Sequence, residues 1–464
     1  MKRINLKRFF LLLGGTLFCF SISNASYGQS LSFSEALRVM NEENSLIKAM
    51  EKQEEVHQYE WKAMKGLRSP TVKAFGMGLY MDRSLGLDFN GLRNQVGDFV
   101  HLPNAEVLGN WSVDFNKRDM AFGGFMATWP IFTGGKINAA VQAGKLKSEI
   151  GEKELEQTKD KLLSELVVRY YTVKLAERAL IVRQDVLAGM KKHQDDALKL
   201  EEQGMIAPVQ RMAADVAVSD ASRELDAAKK DATLARLALA NTMEVEEVTS
   251  DLSSDFFVLP QMEALDYYQH AAAENYPALQ KLSLQKELAT QGVKAKQAAN
   301  YPTVVAFGQT VLAHNNPISG LDVLYDNNKP WTVGIGVTYT LFEGLRNRNE
   351  IKAAKATRES VALFEEKAKS DIKMLVAKLY QDIQKQQEQL DNLTTQEAMA
   401  TEYLRVRNKA FIEGFATSTE VVDAELNLSA VKLKKLQAHF YYVSNVASLF
   451  EYTGLSNEFV QFAK

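Results

Sequence analysis

The chain has 464 residues, 46% hydrophobic and 24% charged, which excludes a disordered polypeptide. Its formal charge of −3 and the lack of any Lys/Arg-dominated stripe argue against nucleic-acid binding. Only 9 prolines occur, and long stretches carry none, as long helices require.

Residues 1–28 read as a secretory signal. Lys2, Arg3, Lys7 and Arg8 form a basic start, an apolar run covers 9–20, and small residues at 23–28 offer cleavage sites. The run is shorter than the about 20 residues that span a bilayer. The single cysteine, Cys19, lies inside this segment, so the mature chain is expected to have no disulfide and no thiolate metal site. No other run of 18 apolar residues follows, leaving a periplasmic, secreted or β-barrel outer-membrane protein.

Residues 32–67 have helical character, and a strand covers about 70–81. A Gly/Asn/Asp-rich loop covers 82–118. A second strand, 120–132, ends at Gly134 and Gly135. A proline-free helix then runs 136–203, with Leu163, Leu166, Val167 and Tyr170 at spacings of three and four. At 1.5 Å per residue it is about 100 Å long, a coiled-coil element rather than part of a globular core. It turns at Gly204 into an alanine-rich helix, 208–249, which is about half as long.

The same order then recurs: helix 262–298, strand 303–313, loop 314–330, strand 331–342, long helix 346–411, a turn at Gly414 and helix 418–453. The strand-end segment Trp129-Pro130-Ile131-Phe132 matches Tyr339-Thr340-Leu341-Phe342 at an offset of 210, which also places Tyr170 on Tyr380, Gly204 on Gly414 and Ala214 on Ala424. Upstream, Pro70-Thr71-Val72 matches Pro302-Thr303-Val304 at an offset of 232, so the first copy carries a 22-residue insertion between its strands. Two copies of this length indicate duplication of a whole unit, 29–255 and 256–464, rather than a solenoid.

The last strand alternates Val333, Ile335, Val337, Tyr339 and Leu341 with Thr332, Gly334, Gly336, Thr338 and Thr340, the apolar-out, small-polar-in pattern of a membrane barrel strand. A soluble half-buried strand alternates in the same way. Four strands cannot close a membrane barrel, whose minimum is about 8, and open edges in lipid cost several kcal/mol each. If the hairpins enter the membrane, chains must share a barrel, and three chains would supply twelve strands.

On the strand-end motifs Pro130-Ile131-Phe132-Thr133-Gly134-Gly135 and Leu341-Phe342-Glu343-Gly344, and on the tip segment Phe411 to Glu425, the chain resembles the outer-membrane efflux protein (TolC) family over residues 31–455. The resemblance implies a mainly helical fold with a β-barrel portion: a homotrimeric 12-stranded outer-membrane barrel continued by a periplasmic α-helical barrel. It implies a passive exit duct of a tripartite efflux pump, partnered by a periplasmic adaptor and an inner-membrane transporter of the RND or ABC type. The alternative within this class is the outer-membrane component of type I protein secretion.

The family's acidic entrance rings fall on Glu420 and Asp423, three residues apart on one helical face. Crowding in a trimer is expected to raise their pKa values. An N-terminal helix carboxylate pair favoured by the helix dipole is the plainer explanation. In the first tip the matching positions are Gln210 and Ala213, so only the second copy supplies the ring. Both tips, Gly204-Met205-Ile206-Ala207-Pro208 and Gly414-Phe415-Ala416-Thr417-Ser418, are expected to meet the adaptor. The six histidines lack ligand spacing, the 15 methionines read as packing residues, and no nucleophile, phosphate-loop or zinc motif occurs. Neither an enzyme nor a cofactor is expected. A periplasmic adaptor or a coiled-coil fibre explains the helices but not the paired hairpins.

Overall fold

The computed structural model describes residues 30–82, 86–114, 118–314 and 331–463. The segment read as a secretory signal, with Cys19, and residues 315–330 of the second loop lie outside the described residues.

The helix expected over 32–67 is two helices, α1 (Phe33–Glu43) and α2 (Ser45–Gly66). Asn44 breaks them: its backbone is extended, and its side chain accepts from Leu46 and Ile47 N–H as the cap of α2. The helix expected over 262–298 breaks likewise into α6 (Leu265–Asn275) and α7 (Pro277–Gln297), because Pro277 holds Tyr276 in the extended region. Strand β1 (Thr71–Tyr80) follows α2. The 82–118 loop is more ordered than expected, containing β2 (Gly86–Asp88), α3 (Asn90–Phe99), a 3-10 turn over Ala105–Leu108 and β3 (Ser112–Asp114). Strand β4 (Asp119–Phe132) feeds α4 (Lys136–Glu202) and α5 (Pro208–Met243). The second copy continues with β5 (Thr303–His314), β6 (Trp331–Thr338), α8 (Arg346–Ile412), α9 (Ser418–Thr453) and a terminal α10 (Ser456–Phe462). Strand β6 stops at Thr338, four residues before the expected end.

The long helices α4 and α8 have 67 residues each, and the returning helices α5 and α9 have 36. The shortfall is made up by end-to-end stacking. Along the near half of α4 lies α2, tied by Glu51 to Lys159 at 3.0 Å, with Gly151 leaving room for the His57 ring. Along the far half lies α5, tied by Arg183–Glu224 at 3.3 Å. In copy two, α7 pairs with α8 through Lys296–Glu350 and α9 through Lys435–Glu397, both at 2.9 Å. Helix α4 also packs on α7 and α9, so the lateral order is α8, then α7 with α9, then α4, then α2 with α5. Among the described residues the flanks α8 and α5 have no helix packed beyond them, and both expose large apolar side chains, including Phe364 and Met399 on α8 and Val216 and Leu237 on α5.

The main core sits at mid-height, where Phe33, Tyr170, Tyr171, Tyr442 and Phe459 are buried together. Tyr170 Oη donates to Leu31 O at 2.7 Å and accepts from Ser254 N at 3.0 Å, so both chain segments wrapped around the waist are fixed to α4.

The sheet order is β1-β4-β5-β6, antiparallel throughout, and among the described residues β1 and β6 are edges without a partner strand. Its register puts Val72, Phe125, Trp129, Val333, Ile335 and Val337 on one exposed apolar face. The other face carries Lys73, Gln309 and Thr332, joined by Phe75, Met77, Phe122, Met126 and Phe307. The inner pattern is therefore small and polar only along β6. There Gly334 leaves space for the Phe307 ring, whose Cζ would stand 2.7 Å from any added Cβ.

Candidate functional site: the paired tips and the open sheet

The two helical tips are built alike but closed differently. Gly204 and Gly414 adopt φ of 72° and 80°, which glycine reaches without strain. Met205 N then donates to Leu200 O at 2.9 Å and Phe415 N to Ala410 O at 2.8 Å, satisfying the last carbonyls of each long helix. In the first tip, Ala207 offers no side-chain cap, and Pro208 occupies the first helical turn, where its missing N–H costs nothing. In the second, Thr417 and Glu420 form a capping box: Glu420 N donates to Thr417 Oγ1 at 3.3 Å, and Thr417 N donates to Glu420 Oε2 at 2.8 Å.

Ala197, Ala214, Phe411 and Val421, one from each of the four helices, form a small tip core against which Ile206 and Ala416 pack. Met205 and Phe415 point outward, Phe415 being 82% exposed. Gly204, Ala207, Pro208, Gly414 and Thr417 are also exposed. Ser418 departs from the expectation of a partner contact: it is 1% exposed, and its hydroxyl shares a 2.8 Å hydrogen bond with His193 Nε2. His193 is itself buried and packs on Phe411 at 4.6 Å between centroids. Burial pushes its pKa below the ordinary imidazole value, opposed by the nearby Asp196 carboxylate. The sequence carried no spacing that singled out His193; only the fold brings it under α9.

Glu420 is half-buried and already engaged. Besides the cap it accepts from Arg407 of α8 at 3.1 Å. The Thr417 backbone N–H holds its carboxyl below the usual carboxylate range, its hydroxyl and Arg407 assisting. That is opposite in sign to the crowding expected among three chains. Asp423, one turn on, is exposed. Arg407 is the tip residue that sequence reasoning missed; thirteen residues separate it from Glu420 across the turn. Beside the tips, α5 and α9 flank an apolar groove of about 340 Å³ floored by Val186 and Met190 of α4. Among the described residues no cluster of His, Cys, Asp and Glu could hold a metal ion, and no helix is long and apolar enough to cross a membrane.

A sheet with one largely apolar exposed face, two edges open among the described residues and a pair of 67-residue helices below it defines a subunit of an outer-membrane efflux channel. The chain belongs to the outer membrane efflux protein family, whose model matches residues 103–243 and 269–455. This is a family of channels and transport rather than a class of enzymes. Solved structures share the fold. CusC, whose structures concern transmembrane channel formation, superposes with a TM-score of 0.76 at 14% identity, over 91% of this chain and 92% of that one. The CmeC outer membrane channel of Campylobacter jejuni gives 0.74 at 12% identity, over 98% and 94%. The open-state MtrE outer membrane channel of Neisseria gonorrhoeae gives 0.72 at 16%, over 92% and 89%. No curated protein matches the chain in sequence.

Proposed function

We propose that three copies of this chain close one barrel in the outer membrane and form the passive exit duct of a tripartite efflux pump. The supporting observation is the four-stranded sheet whose β1 and β6 edges are both open among the described residues, while one face presents mainly exposed apolar side chains. In lipid those edges need partners, and the strand directions alternate correctly when β6 of one chain meets β1 of the next. The exposed apolar flanks of α8 and α5 meet in the same step and carry the wall into the periplasm. A periplasmic adaptor engages Met205 and Phe415 at the tips, and an inner-membrane transporter supplies the energy.

Asp423, with Glu420 beside it, rings the periplasmic entrance. Three chains bring six carboxylates around one axis, a cation-attracting constriction. Single-channel recording tests this role. The Glu420→Ala, Asp423→Ala double variant is expected to lose cation selectivity and divalent block while conductance rises; unchanged values remove the gate assignment. For the tips, a photo-crosslinker at position 415 is expected to capture the adaptor in whole cells. Failure at both 205 and 415 removes the docking assignment.

A further inference from the structure

The insertion of the first copy is a folded knob. Phe89 N donates to Trp111 O at 2.8 Å, Trp111 N to Asn90 Oδ1 at 2.9 Å, and Trp111 Nε1 to Leu108 O at 3.0 Å. The Arg93 guanidinium caps Gly109 O at 2.9 Å. Gly97 lets α3 press directly on the 3-10 turn, since an added Cβ would stand 2.5 Å from Ala105 Cβ. The Asn90, Arg93 and Trp111 side chains are thus engaged within the knob. Leu92, Val96 and Phe99, at i, i+4 and i+7, form an apolar stripe on its outside with Val100, and Phe99 is 84% exposed. A preformed element with its apolar side outward marks an interaction surface.

We propose that this stripe clasps the outer end of β6 on the neighbouring protomer, fastening the chains together at the cell-surface rim. The proposal rests on the trimeric barrel described above. The knob leaves the sheet at Tyr80, the outer end of β1, and β1 is the open edge. The neighbour's β6 would lie one strand spacing away, about 5 Å. Its outer end is Trp331, itself 73% exposed and set opposite Thr310. Across the sheet Trp331 stands level with Thr310, Phe125 and Ala74, six residues inward of Tyr80. The clasp therefore also requires the stagger of a closed, tilted barrel to carry the neighbour's β6 outward along β1. Within one chain, β1 and β6 are separated by β4 and β5, about 15 Å at the same spacing.

That difference supplies the test. In a Cys19→Ser background, Phe99→Cys and Trp331→Cys provide the only thiols. A short bis-maleimide on whole cells is expected to give covalent dimers and trimers. Heat-modifiable trimers that yield only monomer bands overturn the clasp while leaving the barrel reading intact; absence of any trimer in the unsubstituted chain overturns both. Separately, Leu92→Ser with Phe99→Ser is expected to lower the temperature at which the trimer dissociates, and an unchanged temperature overturns the clasp. A fluorophore at position 99 quenched by lipid-bound quenchers would assign the stripe to the outer leaflet instead, and also overturns it.

Discussion

At the residue scale, one side chain at the second tip has two roles. Glu420 caps α9 and pairs with Arg407, so the feature that suggested an acidic ring also closes the helix. The structure shows the helix-cap role, and the acidic ring is proposed beside it. Asp423, free of the cap, carries the more exposed charge. Thr417→Ala separates the roles, because it removes half of the capping box and leaves both carboxylates. It is expected to cost about 1 kcal/mol of local helix stability, read as faster amide exchange over the first turn of α9 with cation selectivity kept. Ser418 lies deeper than its neighbours in the tip turn. Its place in the tip turn suggested exposure, but its burial under His193 depends on α4, far away in the chain.

The waist offers a pH test at the same scale. Burial raises the Asp160 carboxyl to about 6, with the nearby Ser456 hydroxyl opposing and Glu156 and Glu451 adding repulsion. The unfolded value is about 3.9, so between the two the native state holds a proton that the unfolded state has released. Stability from this group therefore falls as pH rises through that window. His193 and His439, both lowered by burial, act in the opposite sense: the unfolded state binds their protons first, so stability falls as pH drops below about 6.5. Asp160→Asn isolates the first effect. Its advantage in unfolding temperature over the parent is expected to be larger at pH 8 than at pH 5; an equal shift at both contradicts it.

At the element scale, the strand-to-helix corners decide how the sheet joins the helices. Gly134 and Gly344 both have positive φ, 61° and 59°, yet their surroundings differ. A Cβ at Gly134 would stand 2.5 Å from Ala298 O, whereas Gly344 has nothing within 4 Å. Gly344→Ala is expected to cost only the backbone strain, about 1 kcal/mol. Gly134→Ala must also move the end of α7 and is expected to reduce assembled channel in the outer membrane. Equal yields from the two variants would contradict this.

The element order was legible because the long helices carry unbroken 3.6-residue periodicity and end at glycines that permit left-handed turns. The two helix breaks were missed although their signals stood in the sequence: Asn44 is a good cap and Pro277 forbids helix before it. Apolar periodicity continues across both breaks, because stacked halves bury the same face, and that continuity hides them. The order within residues 82–118 escaped because it rests on Asn and Trp hydrogen bonds, which mimic loop composition.

At the scale of the whole molecule, duplication turns one chain into two sectors of a tube wall. The register of β1, β4, β5 and β6 leaves two complementary edges, and the helix order leaves two apolar flanks in the same places. Both incompletenesses are removed by the same rotation, which argues for a closed ring rather than an open filament. The imperfections of the repeat fall at its two ends: the knob adjoining β1 belongs to the first copy, and the capped acidic tip to the second.

The central claim is that these edges meet between chains in a ring of three. Native mass spectrometry of the channel extracted from outer membranes in mild detergent tests it most directly. The predicted result is a single assembly of three chains that falls to monomers only on heating. A stable monomer, or an assembly of two or four chains, would contradict it.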